Sequence, residues 1–254
     1  MTEATASAAA PAADTASAGG LLDVNRRYYD SLWRDTRLVE PHRFNTWPLV
    51  QSLVATSRQR LEVAPGLRPR LPIAQTQFVD ISPPALRALA RKGGYVAQAE
   101  ISALPFADST FDLVCAFDII EHVEDHVRAL SELHRVTTPG GMMLLSMPLH
   151  ASHWTAFDEL VGHCRRYDPA ELQAMLTHQG LTVRQSGVYG MQPKSSRLLD
   201  LGMWWMKKDR AKAMWWYNHI FMPLGVLFQR PLKLLPGMID TRLVDEIVMV
   251  CQKT

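Results

Sequence analysis

Acidic side chains recur at the ends of successive β-rich runs in this sequence: Glu62 in RLEVAPG, Asp80 in QFVDIS, Glu100 in VAQAEIS and Asp118 in FDLVCAFDII. A carboxylate at a strand tip can accept both hydroxyls of a ribose, which makes Asp80 a candidate nucleoside ligand. Glu100, followed by apolar Ile101, stands where the base of that nucleoside would lie. Downstream, Glu121 and His122 follow the fourth run, and His150, His153 and His163 are spread over PLHASHWTAFDELVGHCRRYDP. Carboxyl and imidazole groups are the usual carriers of general acid–base chemistry. Arg165 and Arg166 either grip an anion through forked hydrogen bonds or brace the next helix through Asp158 or Glu159. Tyr167 packs or donates. No histidine spacing here is diagnostic of a metal, so none is assigned.

These groups converge only if the runs that carry them lie side by side. Strands are expected at residues 60–64, 77–81, 95–99, 111–117, 141–147, 181–188 and 246–251, with helices at 84–92, 123–135 and 169–179 between them. Ser82 and Asp168, each followed closely by proline, read as N-caps. Alternation of strand and helix predicts parallel strands joined by crossovers. The expected fold is α/β: a doubly wound, mostly parallel seven-stranded sheet with helices on both faces and a helical insertion between the last two strands. In such sheets ligands bind beyond the carboxyl ends of the strands, where the strand order reverses.

The composition sets the remaining bounds. Of 254 residues, 47% are hydrophobic and 20% charged, with a formal net charge of +2, which suits one globular domain and gives no reason to expect a nucleic-acid partner. The three cysteines are far apart and form no paired motif, which fits a reduced, cytoplasmic setting. Residues 1–20 are rich in Ala, Ser and Thr and are expected to be a disordered tail, leaving 21–254 as a single domain. No apolar run approaches the ~20 residues that span a bilayer.

The text LPFADSTFDLVCAFDIIEHV, followed by TTPGG, resembles the class I, Rossmann-like S-adenosylmethionine-dependent methyltransferases, in particular the small-molecule "methyltransferase type 11" group. The resemblance covers roughly residues 60–147 and implies S-adenosylmethionine as cofactor. On that resemblance Asp80 would hold the ribose, Ile81 and Ile101 would sandwich the adenine, and Glu100 would contact its amine. Glu62, Ala64, Gly66, Phe117 and Asp118 would line the rest of the cofactor. One departure stands out. The family's GxGxG turn and following helix are replaced by APGLRPRLPIAQTQ, whose Pro69 and Pro72 remove helix hydrogen bonds, so a single turn or a loop is expected there, with Arg68 or Arg70 compensating.

The same resemblance places Glu121 and His122 at the start of a helix facing the active site, and His150, His153 and His163 in loops that contact the acceptor. Any of the five could act as the base. Trp154, Arg166 and Tyr167 would contact the acceptor, and GHCRRYDP is similar to a segment of methyltransferases from glycan and lipid-linked pathways. The segment 21–57, with Tyr29 and Trp33, resembles an N-terminal lid. The 191–240 insertion carries Trp204, Trp205, Trp215 and Trp216 among methionines and lysines. It reads as a cap over a hydrophobic small-molecule acceptor, as a peripheral membrane contact, or as a subdomain core or homodimer contact.

Overall fold

The computed structural model describes residues 36–190, 202, 204–205 and 208–254. The expected tail, the first part of the lid with Tyr29 and Trp33, and part of the 191–240 insertion lie outside the described residues. Eight strands form one sheet: β1 (Arg60–Val63), β2 (Thr76–Asp80), β3 (Tyr95–Gln98), β4 (Phe111–Ala116), β5 (Thr137–Pro148), β6 (Leu181–Val188), β7 (Leu234–Pro236) and β8 (Glu246–Lys253), in the order β3-β2-β1-β4-β5-β8-β6-β7. Strands β1 to β5 are mutually parallel, and β8, β6 and β7 continue antiparallel. The order therefore reverses between β1 and β4, which is where a ligand crevice opens in doubly wound sheets.

Seven strands were expected and eight are present. The extra one, β7, lies inside the insertion and pairs with β6 at the sheet edge, a place where its Pro236 costs no ladder hydrogen bond.

Alternation along the strands divides the core in two. Leu61, Val63, Val114, Ala116, Met143, Leu145 and Met249 face one side, under Leu130 and Leu133 of α3 (His126–Val136) and Leu172 and Leu176 of α5 (Pro169–His178). Leu113, Cys115, Leu144, Val248 and Val250 face the other, under Leu49 and Val50 of α1 (Trp47–Val54). The short helices α2 (Pro83–Ala90) and α4 (Ala156–Val161) follow β2 and β5. Asp168 caps α5 through Ala170 N–H and Glu171 N–H, as expected, whereas Ser82 holds the position before α2 without a side-chain capping bond.

The helix expected from residue 123 starts later. Asp125 caps α3 by accepting from Arg128 N–H at 3.0 Å, and Glu121 and His122 belong to a separate 3-10 turn, Ile120–His122. The motif loop before β4 is tied onto α3. Arg135 bonds Glu132, Asp108 and the carbonyls of Leu104 and Phe106, while Leu104 N–H donates to Glu132. The spacing of LPFADSTFDLV thus serves to seat Ile101 and Leu104 at the sheet edge.

Between β1 and β2 there is no helix, and residues 64–75 cross as a loop. Its apolar side chains take over the packing that a crossover helix would provide: Leu67, Leu71 and Ile73 are buried, and Leu71 joins the cluster beneath α1. Leu71→Ala is expected to lower the unfolding free energy by about 2–5 kcal/mol in a denaturant titration. A loss below about 0.5 kcal/mol would contradict a packed loop.

Candidate active site

Because β1 to β5 run in parallel, Glu62, Asp80, Glu100, Asp118 and the segment after Pro148 all reach one edge of the sheet. The antiparallel β8 begins at that edge, with Glu246 opposite Pro148, and Tyr189 N–H donates to the Glu246 carbonyl.

On the β2 side, the Asp80 carboxylate accepts from Gly66 N–H at 3.0 Å and Ser82 N–H at 2.8 Å. It therefore sits at the strand tip against loop amides and not in the apolar core. Glu62, 2% exposed, accepts from Arg70 N–H at 2.8 Å and Leu71 N–H at 2.9 Å. Both of its carboxylate oxygens thereby hold the loop between β1 and β2. Burial pushes the Glu62 carboxyl up to about 7, against the two amide bonds and the Arg70 charge.

Ala64 and Gly66 both have positive φ, 55° and 54°. The backbone of a glycine turn is thus kept with an alanine in one of its left-handed positions. Arg70, one of the two arginines expected to compensate for the missing helix, turns inward: its guanidinium lies 3.8 Å from the Phe44 ring centroid and donates to Tyr189 Oη at 2.6 Å. Arg68 instead reaches the insertion, over the Tyr217 ring and toward its hydroxyl at 3.4 Å. Ile101 and Phe117 are buried, Ile81 is half-buried, and Glu100 is exposed.

Asp118, exposed and at φ 50°, is pinned by β5: its N–H donates to Ser146 Oγ at 2.9 Å, and the Ser146 hydroxyl donates back to its carboxylate. Beside it, burial and the Asp118 charge push Glu246 well above the usual carboxylate range.

A second cluster joins the 3-10 turn to the loop after α4. Glu121 is 1% exposed, its Oε1 lies 3.9 Å from His163 Nε2, and its Oε2 has no hydrogen-bond partner among the described residues. Burial, then the Asp118 charge, pushes its carboxyl well up, and burial with His163 nearby pushes His122 down to about 3. His163 Nδ1 meets Asp158 at 2.8 Å, and Arg166 bonds the same carboxylate at 2.8 and 3.1 Å. Although burial opposes it, hydrogen bonds from His163, Arg166 and Thr155 hold Asp158 ionised, well below the ordinary carboxylate range.

The Arg166 fork is committed to Asp158, which is the bracing role and not the anion-gripping one. Arg165 bonds the Val123 and Glu124 carbonyls. Tyr167 is buried, stacked on His126 and hydrogen-bonded to it at 3.0 Å, while Trp154 is exposed.

The expected histidines separate into two groups. His163 packs against His122, whereas His150 and His153 pack on each other and meet the Thr241 carbonyl and Asp245 carboxylate, both at 2.7 Å. Sequence reasoning missed Ser146, Tyr189 and Glu246, which reach the edge from β5, β6 and β8. Only Glu246 carries a signal, as the second of two acids, Asp245 and Glu246, that precede the apolar run IVMVC.

A carboxyl that binds its proton more tightly when folded stabilises the fold most below its unfolded pKa. For Glu62 that contribution is lost as the pH rises from 4.5 through about 7. The shift corresponds to a loss on the order of 3 kcal/mol. Denaturant titrations at about pH 4.5 and about pH 8 are expected to show this loss in the wild type and not in Glu62→Gln. Equal pH slopes would contradict it.

Comparisons with known proteins agree with this geometry. The family described as "Methyltransferase domain" matches residues 62–145. A protein of Mycolicibacterium smegmatis (strain ATCC 700084 / mc(2)155) named "Probable S-adenosylmethionine-dependent methyltransferase" is 34% identical over 92 residues, 35% of this chain and 36% of that protein. A malonyl-[acyl-carrier protein] O-methyltransferase of Pseudescherichia vulneris is 35% identical over 103 residues, 37% of this chain and 40% of that one. The chain thus spans little more than a third of the length of these curated relatives. Among solved structures, an S-adenosylmethionine-dependent methyltransferase from Thermotoga maritima shares the fold with a TM-score of 0.55 at 15% identity, over 84% of this chain and 91% of that one. Residues 62–145 of this chain thus match the methyltransferase-domain family, and the chain shares its Rossmann-like α/β fold with S-adenosylmethionine-dependent methyltransferases.

Proposed function

We propose that the chain transfers a methyl group from S-adenosylmethionine to a hydrophobic small-molecule acceptor of the secondary-metabolite, quinone or lipid-linked glycan kind. The observation that carries this reading is Asp80 at the tip of β2, oriented by the Gly66 amide beside the point where strand order reverses. That is the position from which a carboxylate takes the two ribose hydroxyls of a nucleoside. The methyl donor is a sulfonium and already activated, so the protein has mainly to align the partners and exclude water. A cationic sulfonium also suits an edge that carries the carboxylates of Asp80 and Asp118.

The insertion supports a large apolar acceptor. It places α6 (Arg210–Trp216), a π turn (Tyr217–Phe221) and α7 (Met222–Leu227) against the cofactor loop through the Arg68–Tyr217 contact, and Gln229 Oε1 accepts from Asn45 N–H at 2.6 Å. Calorimetry is expected to show the demethylated cofactor binding to wild type, and Asp80→Ala to weaken it about 100-fold or more. Wild type that binds neither form of the cofactor would defeat the enzyme reading.

A second role for the same insertion rests on its exposed apolar side chains: Trp215, Phe221, Leu227 and Phe228 are 50%, 52%, 72% and 76% exposed. No helix among the described residues is long and apolar enough to cross a membrane. Aromatic and leucine side chains presented together are suited to lie in a lipid interface, bringing the acceptor side to a membrane-borne substrate. Co-sedimentation with anionic vesicles is expected for wild type and to fall at least about tenfold for the double variant Leu227→Ser/Phe228→Ser. Equal sedimentation of both proteins, or none of either, would remove the membrane role and leave the enzyme reading intact.

A further inference from the structure

The geometry points to a divalent metal site of the zinc type formed by Glu121, His122 and His163. Their ligand atoms lie within 4.8 Å of one another. Two segments bring them together: Glu121 and His122 from the 3-10 turn after β4, and His163 from the loop after α4. The Cys164 N–H bond to the Glu121 carbonyl, at 2.7 Å, staples these segments.

Both imidazoles are oriented as metal ligands are. His163 Nδ1 faces the Asp158 carboxylate at 2.8 Å and His122 Nδ1 faces the Gly162 carbonyl at 3.2 Å. A carboxylate or carbonyl oxygen can only accept, so each Nδ1 carries the proton, and in His163 this leaves Nε2 turned toward Glu121 as the ligand atom. Asp158 is itself fixed by the Arg166 fork and by Thr155, a second layer of support of the kind that sets ligand orientation at metal centres. Glu121 Oε2 is buried with no partner among the described residues, a cost that coordination would relieve.

A metal-free relay running from Asp158 through His163 to Glu121 fits less well, because 3.9 Å between Glu121 and His163 is beyond a hydrogen bond. Tetrahedral coordination with bonds of about 2.0–2.1 Å places ligand atoms roughly 3.3 Å apart, so the three side chains need to close by about 1.5 Å at most. Two imidazoles and one carboxylate with a fourth place left over is the ligand set of a catalytic rather than a structural zinc. His122 and His163 are each 9% exposed, which keeps that place near solvent. If the methyltransferase reading holds, an acceptor hydroxyl in the fourth place would be made acidic there. The metal site itself does not rest on that reading.

The test is equilibrium dialysis of the full chain, stripped with a chelator, against zinc, with cobalt as a spectroscopic probe. Wild type is expected to retain one equivalent of zinc and to give the visible absorption of four-coordinate cobalt. Glu121→Gln, which keeps the shape of the side chain, and His163→Gln are expected to weaken zinc binding by more than about 100-fold, since even supporting residues cost 10–100-fold. His178→Gln, on the surface at the end of α5, is expected to leave it unchanged. Wild type without stoichiometric zinc overturns the proposal whatever the variants do, and so does equal affinity in wild type and Glu121→Gln. No methyl transfer is read, so either result leaves the cofactor question separate.

Discussion

Two buried carboxylates hold the ligand edge of this protein together. Parallel strands are ordinarily joined by a crossover whose helix satisfies its own backbone. Here the crossover from β1 to β2 is a proline-stiffened loop, and its amides need acceptors from elsewhere. Glu62 supplies two, to Arg70 and Leu71, and Asp80 supplies one, to Gly66. The acids at the strand tips therefore shape the loop before they meet any ligand. The positive φ of Ala64 shows the same constraint from the backbone side, since that position keeps a left-handed conformation without glycine.

The second feature is the density of acidic groups along the edge and how their charge is held down. Asp118 is pinned by Ser146, Glu246 arrives on the antiparallel β8, and Glu121 is buried in the adjoining turn. Burial and mutual repulsion favour the protonated forms of Glu121 and Glu246, while Asp158 is kept ionised by Arg166 and His163. An edge of this kind changes its charge readily when a cation arrives. That property fits both a sulfonium cofactor on the β2 side and a metal on the acceptor side.

Much of the fold was legible because hydrophobic alternation and N-cap chemistry act locally. Seven strands and the Asp168 cap follow from short stretches of text, and prolines 69 and 72 foretold the missing helix. The eighth strand was not legible, since three residues bounded by proline carry no period. The helix expected from residue 123 begins at His126, because Asp125 takes the cap and residues 120–122 form a separate turn. At the site, Asp80 could be read from its place at a strand tip. The grouping of His163 with Glu121 and His122 could not, because His163 lies about forty positions from that adjacent pair and meets it only through the loop after α4. For Arg166 the sequence left anion binding and bracing through Asp158 or Glu159 both open, and the fold decides for Asp158.

The central claim is that Asp80 serves a nucleoside at the β2 tip despite the helix-free loop. A crystal structure of the full chain with the demethylated cofactor tests it most directly. The account expects both ribose hydroxyls within about 2.5–3.0 Å of the Asp80 carboxylate, with the Gly66 amide still bonded to it. A nucleoside bound elsewhere, or a ribose held away from Asp80 by the 64–75 loop, would contradict it.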